Sequence, residues 1–200
     1  TAGDSLLGAL RLANPDSREV LIVGAGTVAG SLVEAFGTAY PQAQIRICNR
    51  TQSKAEALAT RYPGTTVATD LEAAVKAADI IVTCTMSSEP VIKGEWLSPG
   101  QHLNLIGAYR PDMREADDEG LRRARVFCDS FDTTLDHIGE FKIPLAAGAI
   151  QRSDVLADYY ALSRFPAYDP ARITLFKNGG GAHLDLMTSH HILQKWKAKA

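Results

Sequence analysis

The chain has little cysteine: three residues, Cys48, Cys84 and Cys128, in a length of 200. An odd number of widely spaced thiols, with no Cys-x-x-Cys pair, argues against a disulfide framework and a cysteine zinc site. It fits a reducing cytoplasm. An excess of charge of one sign is also missing. Twenty-one Lys and Arg against 23 Asp and Glu leave a formal charge of −2, which gives no argument for nucleic acid or an anionic membrane surface as partner. No apolar run approaches the roughly 18 residues of a membrane span, and no secretory leader or low-complexity tract is visible. The pair His190-His191 lacks a neighbouring carboxylate or thiol set, so no metal is expected there. What is present, 46% apolar and 22% charged residues, is the composition of an ordinary globular domain.

The most telling pattern is Val20-Leu-Ile-Val-Gly24-Ala-Gly26-Thr-Val-Ala29-Gly30. It is an apolar run, then a glycine turn, then an amphipathic segment over 27–40. A second apolar run, Ile45-Arg-Ile-Cys48, follows. Strand, glycine turn, helix, strand is the order of a βαβ nucleotide-binding unit. There Gly24 permits the tight turn, Gly26 lets a pyrophosphate approach the backbone, and Ala29 allows close helix–strand packing. The N–H groups at the helix start, at Thr27 and Val28, face the phosphates. A dinucleotide is therefore the expected ligand. The second run ends about 25 residues after Gly24, near where the adenosine ribose is read. It ends in Asn49-Arg50-Thr51. An acidic side chain there would bond a free 2′-hydroxyl and repel a 2′-phosphate, whereas Arg50 can pair with a phosphate and lie on the adenine face. NADP(H) is expected over NAD(H).

The alternation continues along the chain. Helices are expected over 51–61, 70–77, 117–124, 130–138 and 155–163, and strands over 65–68, 79–85, 101–106, 125–129 and 173–177. Loops are expected at 90–97 and 144–148. A second glycine-rich turn, Asn178-Gly-Gly-Gly181, leads into a long helix reaching about Trp196. The pattern predicts an α/β fold of Rossmann type, a doubly wound parallel sheet. Right-handed crossovers put every strand's carboxyl end on one rim. That rim would carry the cofactor contacts: Gly24, Gly26, Thr27 and Val28; Asn49, Arg50 and Thr51; Thr83, Cys84, Thr85 and Met86; Ile106, Gly107 and Ala108; and Asn178 and Gly179. The small pair Gly107-Ala108 would let a nicotinamide ring lie against the backbone.

Longer stretches resemble the ornithine cyclodeaminase/mu-crystallin family. They are the Gly24-Ala-Gly26 turn, Ile106-Gly-Ala-Tyr-Arg-Pro-Asp-Met-Arg-Glu115, Val126-Phe-Cys-Asp-Ser130, Gly139-Glu140, Ile143-Pro-Leu145, Thr174-Leu-Phe-Lys-Asn-Gly-Gly-Gly-Ala182 and Asp185. They run in order over nearly the whole chain. The resemblance implies a Rossmann domain joined to a second lobe that dimerises and supplies basic residues for a substrate carboxylate. The chain starts at Thr1 inside a helical pattern with Leu6, Leu7, Leu10 and Leu12 on one face. Residues 1–18 are thus expected to form a connecting helix from a lobe missing here, 19–181 the dinucleotide domain, and 182–200 a helix returning towards that lobe. A homodimer through the missing lobe is the implied assembly.

Departures from the family pattern narrow the chemistry that the resemblance implies. Cyclodeaminases of the family carry an aspartate in a Gly-Gly-Asp segment, thought to act on the substrate amine. The matching segment here is Gly107-Ala108-Tyr109. The mu-crystallin branch also lacks that carboxylate, shares the Asn-Arg-Thr ending, and reduces cyclic ketimines with NADPH. The implied activity is an NADPH-dependent reduction of cyclic α-imino acids, of the pyrroline-2-carboxylate or piperideine-2-carboxylate type. Tyr109 and Lys177 are the candidate catalytic residues, one as a phenol donor at the substrate, the other supporting the nicotinamide or the substrate carboxylate. A cyclodeaminating lyase with bound NAD, and a protein that binds NADPH or a small ligand without turnover, are the alternatives. The family's serine after the lysine is Asn178 here, which alters the contact at that point.

Overall fold

The computed structural model describes residues 1–198. In chain order its elements are α1 (Ala2–Leu12), β1 (Glu19–Val23), α2 (Thr27–Ala39), β2 (Gln44–Cys48), α3 (Gln52–Arg61), β3 (Thr65–Val67), α4 (Leu71–Ala77), β4 (Ile80–Thr83), β5 (His102–Leu105), α5 (Asp118–Arg123), β6 (Ala124–Cys128), α6 (Phe131–Thr134), α7 (Gly139–Ala146), β7 (Val155–Ala157), β8 (Ile173–Lys177) and α8 (Ala182–Lys197). The strands form one sheet in the order β3-β2-β1-β4-β5-β8-β6-β7, and every pairing is parallel.

A parallel sheet covered on both faces needs apolar residues at successive positions, one set for each face. Leu21, Val23, Ile81, Leu103 and Leu105 belong to one buried cluster with Val75 and Phe141. Val20, Ile22, Ile80 and Val82 belong to the other, with Leu32 and Phe36 of α2. The register lines up the strand ends: Cys48 pairs with Val23, Val23 with Thr83, Thr83 with Leu105, Leu105 with Lys177 and Lys177 with Cys128. The residues that leave these strands therefore start from a single rim. Sheet order reverses between β1 and β4, and the crevice at such a switch point is where open α/β sheets bind ligands.

Three expectations are corrected. The segment 144–148 is not a loop throughout, because α7 runs through Pro144 to Ala146; Phe141 and Pro144 are buried against the core, and that packing outweighs the lost N–H bond. The helix expected over 155–163 is strand β7 followed by a 3-10 turn over Tyr159–Arg164. Val155 and Ala157 pair with Val126 and Phe127 of β6, so tertiary pairing overrides the local pattern. The helix expected over 130–138 is shorter, confined to α6.

The first segment, expected as a connecting helix, packs on the sheet as α1. Ser5, Gly8, Ala9 and Leu12 of α1 are buried, and a Cβ on Gly8 would meet the Phe176 ring at 2.7 Å. The Tyr159 hydroxyl donates to Asp4 O at 2.9 Å and Asn104 Nδ2 to Ser5 O at 3.0 Å. The expected last segment, 182–200, is α8 as far as Lys197, and its residues 199 and 200 lie outside the described residues. The helix leaves Leu186, Met187, Ile192, Leu193 and Trp196 exposed.

Candidate active site

A cavity of about 1010 Å³ opens on the rim between the strand ends, the start of α1 and the start of α8. That volume lies at the upper end of the roughly 300–1,000 Å³ of small-molecule and cofactor sites. One wall is the turn from β1 into α2. Gly24 has φ +127°, and a Cβ there would meet Cys84 Sγ at 2.7 Å; only glycine makes this turn against β4. Gly26 lines the cavity, and a Cβ there would meet nothing within 4 Å, so the open space it borders is available to a ligand. Gly26 also caps α2 without a side-chain hydrogen bond, and no acidic residue lies in the first turn. The positive end of the helix is left for an anion. These residues fit a dinucleotide pyrophosphate.

The floor is held from beneath by a carboxylate. Glu115, fully buried, accepts from Thr85 N and Thr85 Oγ1 on Oε1, both at 2.7 Å, and from Gly107 N on Oε2 at 2.6 Å. It thereby ties the exits of β4 and β5 together. Their approach is close: a Cβ on Gly107 would lie 1.7 Å from Thr85 O, so Gly107 is small for the sake of Thr85. Glu140 in turn accepts from the N–H groups of Glu115 and Ala116 at 2.8 and 3.0 Å. Burial pushes the Glu140 carboxyl up to about 7, with Lys177 pulling it down and Glu115 adding to the rise. Lys177 is fully buried, and its ammonium donates to Leu105 O at 3.1 Å and Ala108 O at 2.7 Å. Burial lowers its pKa, while Glu140 and Glu115 oppose the fall.

The far wall is acidic. Asp129 is fully buried and lines the cavity. It accepts from Ser130 N at 2.8 Å on Oδ1, and from Gly179 N at 2.8 Å and Gly180 N at 2.6 Å on Oδ2. Burial, then the charge of Asp4, pushes its carboxyl up to about 6, and the three N–H donors oppose that rise. Asp4 and Asp185 line the same space, and no lysine or arginine is found among the described residues that line it.

Of the expected contacts, Gly26, Thr27, Val28, Cys84, Thr85, Met86, Ile106, Gly107, Asn178 and Gly179 line the cavity, as does Tyr109. Others do not. Thr83 and Ala108 are fully buried in the packing below the rim, so Ala108 offers no surface to a ring. Gly24 stands behind the wall, filled in by Cys84. Asn49, Arg50 and Thr51 lie at the end of β2, beyond the cavity wall; Asn49 Nδ2 donates to Thr51 O at 2.9 Å, and Arg50 is exposed. Lys177 touches backbone carbonyls of the β5 exit, which places it in the support of Tyr109 rather than at a ligand. Cys84 is no nucleophile, since burial pushes its thiol up to about 12. Sequence reasoning assigned no role to Asp129, although it sits inside one of the quoted stretches. It also missed Asp4, Leu184 and Met187, which reach the cavity from helices distant in sequence.

The sheet order, the glycine turn at its switch point and the cavity along the rim define a Rossmann-type dinucleotide-binding domain. Comparison with known proteins takes the identification further. The sequence model of the ornithine cyclodeaminase/mu-crystallin family matches residues 1–200, and the chain belongs to that family. It is 50% identical to the Delta(1)-pyrroline-2-carboxylate reductase of Paracoccus denitrificans over 96% of its own length and 63% of that protein's. It is 35% identical to the ketimine reductase mu-crystallin of Mus musculus, covering 99% of this chain and 62% of the relative. Among solved structures, Delta(1)-pyrroline-2-carboxylate reductase of Thermococcus litoralis, in complex with NADH and L-proline, superposes with a TM-score of 0.83 at 26% identity, over 90% of this chain and 58% of that one. An archaeal alanine dehydrogenase dimer with bound NAD superposes at 0.89 and 26% identity, over 99% and 63%. The chain thus spans less than two thirds of these relatives. No helix among the described residues is long and apolar enough to cross a membrane.

Proposed function

We propose that this chain is the cofactor-binding part of an NADPH-dependent reductase of cyclic α-imino acids. The observation that carries the reading is the uncapped start of α2, headed by Gly26, opening on a cavity of dinucleotide size. The substrate class follows from the likeness to pyrroline-2-carboxylate and ketimine reductases. When bound, NADPH supplies the hydride that converts the protonated C=N group to CH–NH, leaving NADP⁺ and a cyclic amino acid.

The chain's own residues bind and orient. The N–H groups at Thr27 and Val28 hold the pyrophosphate, and Arg50 meets the 2′-phosphate from the end of β2. Thr85, Met86 and Gly107 floor the nicotinamide end, kept in place by Glu115. An imine takes up hydride readily only when its nitrogen carries a proton. The carboxylates of Asp129 and Asp4, which line the cavity, favour that cation over the neutral imine. Tyr109, on the strap held by Lys177, presents its phenol to the substrate. The three free thiols fit a cytoplasmic setting, and the likeness to a dimeric dehydrogenase supports a homodimer.

The test is separate titration of the chain with NADPH and NADH. Delta(1)-pyrroline-2-carboxylate is then added to the full-length protein and absorbance followed at 340 nm. Tighter binding of NADPH and imine-dependent loss of absorbance are expected. Tighter binding of NADH, with ornithine yielding proline and ammonia, would replace this reading by a cyclodeaminase.

A further inference from the structure

We infer that Met86 is an oxidation site at the cofactor cavity: a peroxide converts its thioether to the sulfoxide, a bound dinucleotide shields it, and the sulfoxide weakens the dinucleotide's return. The assignment rests on the dinucleotide reading above. The chain has three methionines. Met113 is 1% exposed, packed with Ala108 and Ile138. Met86 is 74% exposed and Met187 68% exposed, and both line the cavity. An exposed thioether meets a dissolved oxidant, and a core thioether does not. Met86 differs from Met187 in what holds it. Thr85, before it, is tied to Glu115 through its N–H and its hydroxyl, both at 2.7 Å. Ser87, after it, accepts the Arg114 N–H on its carbonyl oxygen at 3.1 Å. The backbone is pinned on both sides, so Met86 has little room to withdraw from the cavity. Met187 sits in the second turn of α8, where Leu186, Ile192, Leu193 and Trp196 are exposed as well.

The step needs a hydroperoxide as its only co-reactant. A sulfur lone pair attacks the hydroxyl oxygen of the peroxide. The O–O bond breaks, an S–O bond forms, and the proton on that oxygen passes to the departing alkoxide or hydroxide. The sulfur is oxidised by two electrons, the peroxide is reduced by two, and the products are the sulfoxide and an alcohol or water. The consequence follows from polarity. A thioether is apolar and polarisable, and it packs favourably against an aromatic ring. The sulfoxide puts a strong acceptor in the same place. The N–H groups of Thr85 and Gly107, on the same floor, are already taken by Glu115, so the new oxygen is served by water. A dinucleotide must strip that water in order to settle there. A dinucleotide already bound covers the sulfur and keeps the peroxide away, so the empty site is the sensitive one.

The experiment treats the chain with dilute hydrogen peroxide, alone and with saturating NADP⁺, which does not reduce the peroxide. Peptide mass spectrometry reads the oxygen gained at each methionine, and dihydronicotinamide fluorescence titration then reads the NADPH affinity. Met86 and Met187 are expected to take up oxygen and Met113 is not, and NADP⁺ is expected to slow the reaction at Met86. Oxidation should weaken NADPH about tenfold, the scale of one polar group left poorly paired, and methionine sulfoxide reductases should restore the affinity. Met86→Leu, whatever its starting affinity, is expected to bind NADPH equally before and after peroxide, while Met187→Leu loses affinity as the wild type does. Unchanged NADPH affinity in a wild type oxidised at Met86 overturns the inference. So does an equal loss in Met86→Leu, which assigns the effect to another side chain. A Met86 that takes up no oxygen, or takes it up at one rate with and without bound NADP⁺, overturns it too. If the untreated wild type binds no dinucleotide, the dinucleotide reading itself fails, and this inference with it.

Discussion

Removal of the Glu115 carboxylate tests whether the floor of the cavity is held from beneath. Its three acceptor contacts, at 2.6–2.7 Å, reach Thr85 N, Thr85 Oγ1 and Gly107 N. Glu115→Ala leaves two backbone N–H groups without their acceptor, each worth about 1–3 kcal/mol when buried. Thr85 and Gly107 border the cavity, where water can replace part of the loss, so the lower half of that range applies and the total is about 3 kcal/mol. With a urea m-value of about 2–3 kcal/mol/M for a chain of this size, the midpoint falls by about 1 M. Glu115→Gln is the sharper probe. One amide oxygen can still serve Thr85, but the NH₂ then faces the Gly107 N–H, donor against donor, at a cost of about 1–2 kcal/mol. Urea unfolding followed by far-UV circular dichroism gives both values, and NADPH titration of each folded variant gives the binding consequence, expected as at least a tenfold weakening. A glutamine variant as stable as the wild type, with unchanged NADPH affinity, would falsify the clamp.

Three further outcomes are expected. Gly26→Ala should leave stability within about 0.5 kcal/mol of wild type, because a Cβ there meets nothing within 4 Å. It should nonetheless weaken NADPH tenfold or more in a fluorescence titration, and unchanged affinity would remove the pyrophosphate from α2. Arg50→Ala should weaken NADPH far more than NADH, because only the 2′-phosphate loses a partner; an equal loss for both in isothermal titration would refute the ribose assignment. His102 is fully buried, its Nδ1 is 2.8 Å from Thr174 Oγ1, and burial lowers its pKa from 6.5 to about 4. The unfolded chain thus binds the proton more tightly, and the stability that neutral His102 contributes above pH 6.5 is lost as pH falls towards 4, by about 3 kcal/mol at most. Asp129 and Glu140, raised to about 6 and about 7, act in the opposite sense, since the fold holds their protons more tightly and loses stability as pH rises through those values. The contribution of His102 is therefore read from the difference between wild type and His102→Gln unfolding across pH 4–7, and a flat difference sinks the argument.

Much of the architecture is legible because it is written locally. Apolar residues in runs, glycines at a strand exit and the 3.6-residue spacing of helix faces are properties of neighbours along the chain, and they identify β1, α2, β2, β4, β5 and β8 without any knowledge of distant segments. The glycine turn identifies the phosphate end of the cavity for the same reason. The failures have one cause. Val155 pairs with a strand nearly thirty positions earlier, and Pro144 is tolerated because Phe141 is already buried; neither partner lies within the segment being read. Lys177 looks from its sequence like a residue free to reach a ligand, yet burial turns its ammonium on two carbonyls of the neighbouring strand exit.

The sequence by itself determined the fold class, the place of the glycine turn and the family, because side-chain periodicity and short motifs survive without tertiary context. Only the tertiary structure decided the order of β8, β6 and β7, the packing of α1 on the sheet, and the use of Glu140 and Lys177 as supports. It also showed that three aspartates share one cavity. These depend on register. The residues leaving β4, β5, β6 and β8 become neighbours only when the last residues of those strands line up across the sheet, and no pattern along a single strand records what will stand beside it.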